Sequence, residues 1–235
     1  MKMIPHSDLC FANGCTKKAK GYSRFCTKHV HREQAHGHEL QEPITSVHLR
    51  DPLDRLYRWM RTSEGKTAVD AAVEHYVSLA ERKASEYSDD IRDMMKTGIQ
   101  WETPVYQARE LIAETYQSKN PRKTVVELLA LGLLLEESPM MFRSDRAFLC
   151  QATHVFLRGS AARTKYKFRR NQGRPIATTR HINRKVREEL GRWLTKEFVF
   201  LGVLIYRQWQ KKAAEEKRQR EKVISAVRGE APATA

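Results

Sequence analysis

The sequence lacks any long hydrophobic run. Its most apolar stretches, VVELLALGLLL at 125–135 and FVFLGVLIY at 198–206, are eleven and nine residues long, whereas a helix needs ~20 to cross a bilayer. No membrane-spanning helix is expected, and no secretory signal is visible before the first cysteines, so the expected compartment is a reducing cytoplasm. Signatures of catalysis are missing too: there is no phosphate-binding glycine loop, no HExxH and no nucleophile elbow. Neither an internal repeat nor a sustained heptad seam is present. Cysteine is scarce, and apolar side chains between residues 1 and 40 are too few for a core, so that segment needs another source of folding energy.

The cysteines that are present are placed suggestively. Cys10, Cys15, Cys26 and His29 follow the spacing Cys-x4-Cys-x10-Cys-x2-His. Three thiolates and an imidazole suit tetrahedral Zn2+. Asn13-Gly14 offers the tight turn a chain needs to wrap two ligands around one ion. Zinc binding contributes roughly 10–16 kcal/mol in peptides of this kind, enough to order such a segment. A disulfide framework fits less well, since the fourth cysteine, Cys150, is far away. His29 is assigned as the fourth ligand, with His31, His36 and His38 close behind it in sequence.

The run CFANGCTKKAKGYSRFCTKHVHR, within residues 8–32, resembles small zinc modules of phage and mobile-element proteins. These often stand beside His-Asn-His endonuclease domains. The resemblance implies a zinc-dependent nucleic-acid-binding unit in a DNA-handling protein. It does not extend to the endonuclease: HINRK at 181–185 has a His and an Asn but no accompanying His-Asp pair.

Charge points the same way. Lys and Arg number 43 against 28 acids, a net charge of +15 and a pI near 9.8, which favours a polyanionic partner. Residues 16–32 hold six cations and no acid, and residues 158–192 hold twelve cations against Glu188 and Glu189. These two segments contribute +6 and +10, leaving the remainder of the chain at −1.

The fold expected is mainly α: an N-terminal zinc-finger module, then a multi-helix body, with a basic β-hairpin near 163–179. The expected division is a zinc-binding module at 1–36, a linker at 37–51, a helical core at 52–142, a basic segment and long C-terminal helix at 143–228, and a disordered tail at 229–235. Helices should open at Asp51-Pro52, Ser63, Thr103-Pro104, Asn120-Pro121 and Ser144, each a capping signal. Ser88 should cap a separate short helix ending at Gly98. The helix from Asn120-Pro121 to Leu135 has too few polar positions for a surface helix and belongs at the centre, with Gly132 admitting a close neighbour. His75 reads as structural, and Cys150 as a small buried hydrophobe. Around Arg163–Arg169 basic residues alternate with Thr164, Tyr166 and Phe168, the period of a strand, and NQGRP at 171–175 is a turn signal. An arm that orders on binding fits the same letters. Thr178 or Thr179 should cap a last helix running from Arg180 into the 220s.

The leading functional expectation is a non-enzymatic, zinc-containing nucleic-acid-binding protein, DNA favoured over RNA, acting as a regulator or as an accessory subunit of a larger nucleoprotein machine. Lys17, Lys18, Lys20 and Arg24 on the module would bind nucleic acid together with Arg163, Lys165, Tyr166, Lys167, Phe168, Arg169, Arg170, Arg174, Arg180, Arg184 and Lys185. Any base specificity is expected from Asn171, Gln172 and Arg174 or from the zinc loop. A metal-dependent nuclease would need carboxylates or histidines converging on an ion, with Asp89, Asp93, Glu102 and His181 as candidates. A zinc-stapled protein–protein adaptor is the third reading. Oligomeric state is not legible.

Overall fold

Helices dominate the protein because its apolar residues recur on one face between good capping residues. A computed structural model describes residues 9–98, 103–168 and 175–228, with the side chains of 163–179 and 226–228 outside the description. The order is α1 (Thr27–His36), α2 (Arg50–Trp59), α3 (Ser63–Thr97), α4 (Pro104–Ser118), α5 (Pro121–Glu137), α6 (Asp145–Leu157), β1 (Thr164–Phe168), β2 (Pro175–Thr179), α7 (Arg184–Leu194) and α8 (Phe200–Arg228). Three of the expected starts carry the expected caps, at Thr103, Asn120 and Ser144, and the start expected at Ser63 is capped one residue earlier by Thr62. Thr62 Oγ1, Thr103 Oγ1, Asn120 Oδ1 and Ser144 Oγ each accept a hydrogen bond from the backbone N–H three residues on, at 3.1–3.2 Å.

α5 is the axis of the body. Every residue from Thr124 to Leu134 is buried, and α2, α3, α6 and α8 pack around it. Burying a leucine or valine stabilises by about 1.5–3 kcal/mol, so this apolar run supplies a large share of the core. A Cβ on Gly132 would stand 2.2 Å from the Val199 carbonyl oxygen and 2.9 Å from Gly202 Cα. One on Gly202 would stand 2.2 Å from the Leu129 oxygen. The two glycines let α5 and α8 cross on their backbones, a closer approach than side chains permit.

Buried charge sits at one end of α5. Glu127 accepts from Lys119 Nζ at 2.7 Å and from Arg158 Nη2 at 3.1 Å, and Lys119 also donates to the Phe156 carbonyl at 3.2 Å. Burial pushes the Lys119 pKa below the usual lysine value even so.

Four expectations need correction. Ser88 caps nothing: α3 runs unbroken through it, and its hydroxyl donates back to the Ala84 carbonyl at 2.9 Å. A serine can satisfy itself against its own helix, so its presence mid-run does not force a new start. The last helix does not begin at Arg180. It starts at Arg184 under an Asn183 cap (3.0 Å to the Lys185 N–H), and a π turn at Thr195–Val199 joins α7 to α8. Asp51 is no cap either: α2 already runs from Arg50, and no side chain caps its start. The segment 37–51, read as a linker, packs on the body. Ile44 and Leu49 lie in the main core, and Gln41 bridges to the Met141 carbonyl and the Arg143 N–H.

In the basic segment, the backbones of β1 and β2 pair antiparallel with Thr164 opposite Thr179 and Phe168 opposite Pro175. The expected turn at 169–174 lies outside the described residues.

Candidate functional site

The N-terminal module is built by short-range turns around a cluster of soft ligand atoms. Cys15 N–H donates to the Ala12 carbonyl at 3.0 Å, closing the expected turn through Gly14, whose φ is 74°. Cys10 N–H reaches the Lys17 carbonyl, and Phe11 N–H the Arg24 carbonyl, at 2.8 and 2.9 Å. A second turn, Lys20 to Phe25, returns the chain to Cys26, which opens α1, and one helical turn later stands His29. The ligand atoms of Cys10, Cys15, Cys26 and His29 all lie within 4.8 Å of one another.

Finer distances test whether a metal fits. His29 Nδ1 lies 3.2 Å from Cys10 Sγ and 3.4 Å from Cys26 Sγ, and Cys15 Sγ lies 4.0 Å from Cys26 Sγ. A tetrahedral ion at about 2.3 Å from sulfur and about 2.0 Å from nitrogen separates such atoms by about 3.5 Å (S to N) and about 3.8 Å (S to S). The donors are thus spaced as edges of one coordination tetrahedron, and the four residues could hold a metal ion. Cys26 N–H also donates to Cys10 Sγ at 3.2 Å, the kind of outer bond that steadies a ligating thiolate. The His29 backbone N–H, with further bonds from the neighbouring thiols, draws the Cys26 pKa down. The Lys17 N–H pulls Cys15 the same way, but burial and the thiols of Cys10 and Cys26 outweigh it and hold its pKa above the ordinary thiol value. Crowded sulfurs of this kind are relieved by a cation among them.

The remaining histidines have other work. His31 is exposed. Gln151 accepts from the Ile44 N–H through Oε1 at 2.8 Å, so its amide NH2 faces His36 Nδ1 at 3.1 Å, and His36 must accept there. His36 stands edge-on to His154, with ring centroids 5.6 Å apart. Together with His31, His181, Arg180 and Arg187 they line a cleft of ≈ 460 Å3 where α1 meets the body. α1 is held there by Arg184 on Glu33 at 2.8 Å and by Gly37, where a Cβ would meet the Arg146 carbonyl at 2.6 Å.

The expected nucleic-acid-binding residues divide by what surrounds them. Lys17, Lys18, Lys20 and Arg24 are all exposed, as is Lys28, and among the described residues none has a carboxylate within 4.0 Å. Arg180 is different: its side chain is 9% exposed and gripped by Glu110 and Glu114. These pairs tie the end of β2 to α4. Arg184 is shared between Glu33 and Glu188, while Lys185 is exposed. Arg169, Arg170 and Arg174 lie outside the described residues, as do the side chains of Arg163, Lys165, Tyr166, Lys167 and Phe168.

Two module residues escaped the sequence reading. Tyr22 is fully exposed (103%) and Phe11 is 62% exposed. The signal was in the letters: an aromatic directly after Gly21, in a short basic loop, has no core to enter.

A nuclease would need its candidates to gather on an ion, and among the described residues no such group includes Asp89, Asp93 or His181. Asp89 pairs with Arg92, and the neighbouring Asp90 with Arg109. Glu102 lies outside the described residues. Among the described residues, the Cys10–Cys15–Cys26–His29 set is the one group of three or more His, Cys, Asp or Glu whose atoms converge as metal ligands. Cys150 is buried on α6, and burial pushes its thiol up to about 11, which suits packing and not nucleophilic attack. Compared with known proteins, the chain matches no family model, no curated protein and no solved structure. The likeness to phage and mobile-element modules therefore rests on the ligand spacing and basic loop alone.

Proposed function

We propose that this protein is a zinc-containing, non-enzymatic nucleic-acid-binding protein, with DNA favoured over RNA. The observation that carries the reading is how its cations are distributed. In the helical body cations and acids are intermixed: Arg55 meets Glu137, Arg109 meets Glu86 and Asp90, Arg122 meets Asp70, Arg158 meets Glu127 and Arg207 meets Glu136, while Arg50, Arg61, Lys66 and Lys123 stand exposed with no carboxylate within 4.0 Å among the described residues. On the metal-stapled module five cations stand exposed in a segment, 9–32, that holds no acid at all, and among the described residues none has a carboxylate within 4.0 Å. A solvated basic surface needs neither a metal staple nor an acid-free segment, whereas a polyphosphate partner makes use of both. Zinc is the ion that a closed set of three thiolates and one imidazole suits best. The basic segment at 158–192 would extend the grip along the same polyanion.

Binding of this kind is dominated by counterion release, so log K falls with log salt by about 0.9 per phosphate neutralised on a duplex. Fluorescence anisotropy of the zinc-loaded full chain with labelled duplex DNA, repeated across salt concentrations, tests it. Replacing Lys17, Lys18, Lys20 and Arg24 together by Gln should flatten the salt slope by about 3–4 units. Absence of binding to duplex and to single strands of DNA and RNA alike in dilute buffer, with zinc present, would refute the proposal.

One observation favours a protein–protein adaptor as second reading. The distal part of α8, from Gln210 to Ile224, is exposed throughout, with Val223 and Ile224 uncovered near its tip. If the adaptor reading holds, the Gln variant above keeps its activity, and truncating that half of α8 abolishes it.

A further inference from the structure

The exposed aromatics of the module are held in place by the same bonds that shape the metal cluster. Tyr22 sits in the turn closed by the Lys20–Phe25 and Ser23–Lys20 backbone bonds, at 3.0 and 2.9 Å. Phe11 is bonded across to Arg24, and Leu9, 54% exposed, is bridged to Lys18. Apolar and cationic residues thus alternate over one small rigid knob: Leu9 beside Lys18, Phe11 beside Arg24, Tyr22 between Lys20 and Arg24. Residues 9–32 hold no acid. An apolar protein partner would have to desolvate these cations without an opposite charge of its own, and a duplex hides the faces of its bases in the stack. An unpaired strand offers both complements at once, flat bases for the rings and phosphates for the cations.

We infer that the module binds the unpaired bases of a single-stranded nucleic acid, Tyr22 and Phe11 stacking on successive bases while Lys17, Lys20 and Arg24 follow the backbone. This rests on the nucleic-acid reading above and narrows it to a strand class. Stacking is indifferent to base identity because every base has a π face, so the contact is sequence-tolerant. The ring must be flat and exposed, but its hydroxyl has no part to play.

The test measures anisotropy of the zinc-loaded full chain with fluorescent oligothymidylate, oligouridylate and a duplex of equal length. Tyr22→Ala should weaken oligothymidylate binding about 5- to 150-fold, the equivalent of 1–3 kcal/mol per stacked base, while Tyr22→Phe stays within about twofold. Phe11→Ala should behave like Tyr22→Ala. Both alanine variants should keep their zinc and their salt slope, because no phosphate contact has been removed. Equal losses on oligouridylate mark a strand reader blind to the sugar, and a loss on oligothymidylate alone marks a DNA reader; either supports the inference. Alanine variants that bind oligothymidylate like wild type overturn it. If they do so while the Gln variant of the cations still loses duplex binding, the inference falls and the nucleic-acid reading stands. If no oligonucleotide binds wild type, both fall.

Discussion

Removing the metal should unfold the module and spare the body, and the structure sets the size of the effect. The module's own core consists of Cys10, Ala12 and Cys26, with Cys15, Phe25 and Leu40 partly buried against it. Apart from the ligands, that leaves one alanine and two half-covered side chains, a contribution of about 2–4 kcal/mol at ordinary burial values. Zinc binding by such a ligand set supplies roughly 10–16 kcal/mol, so the ion outweighs the packing several-fold. α5 and its neighbours, by contrast, are held by leucines and valines with no ligand among them. Hydrogen exchange of the full chain, before and after exhaustive chelation, separates the two. Amides of Cys10, Phe11, Cys15, Lys20 and Ser23, which all donate to backbone carbonyls, should lose their protection on chelation. Amides of α5 should keep theirs, and Cys15→Ser should imitate chelation. If metal analysis shows the chelated protein empty while those module amides remain protected, packing alone holds the module and the reasoning fails.

Two substitutions probe the body. Gly132→Ala places a Cβ 2.2 Å from the Val199 carbonyl; both sides of that contact are backbone, so no rotamer change relieves it. Unfolding in urea should show a loss at or above the upper end of the usual 1–3 kcal/mol for overpacking, and an unchanged midpoint would disprove the backbone crossing. Glu127→Ala strips the shared acceptor from Lys119 and Arg158 and should cost about 3–5 kcal/mol, the range for a broken buried ion pair. Glu127→Met would settle whether the acid itself matters, since a loss as small as that of a surface ion pair, below about 1 kcal/mol, would mean the cations escape to water.

What could be read from the chain beforehand follows from how local each signal is. Caps announce themselves because the bond is made within three residues, and the central place of α5 follows from its composition alone. The four ligand positions were legible for the same reason, lying within twenty residues of each other. Long-range pairings were not. That Arg180 would be taken up by Glu110 and Glu114 depends on β2 ending against α4, and no spacing in the sequence encodes that contact. Nor could it reveal that Ile44 and Leu49, in a stretch without periodicity, fill the body's core. Ser88 misled because the same hydroxyl serves a helix start or a helix interior, and only the neighbouring turns decide which.

Metal and charge are not independent features of the module. Five exposed cations on a knob with so small a hydrophobic core repel one another over distances comparable to the Debye length of about 8 Å. With a divalent ion bound, a centre of three thiolates and one neutral imidazole would carry net −1 beneath them and offset part of that repulsion. Chelation returns the thiols toward neutrality and removes the counterweight along with the staple. A bound polyphosphate supplies more negative charge on the outer side of the same cations. Whatever binds the folded module and not the unfolded one stabilises it by mass action, and linkage makes any such benefit mutual: under the proposed function a bound strand would secure the ion, and the ion would keep the cations where the strand can use them.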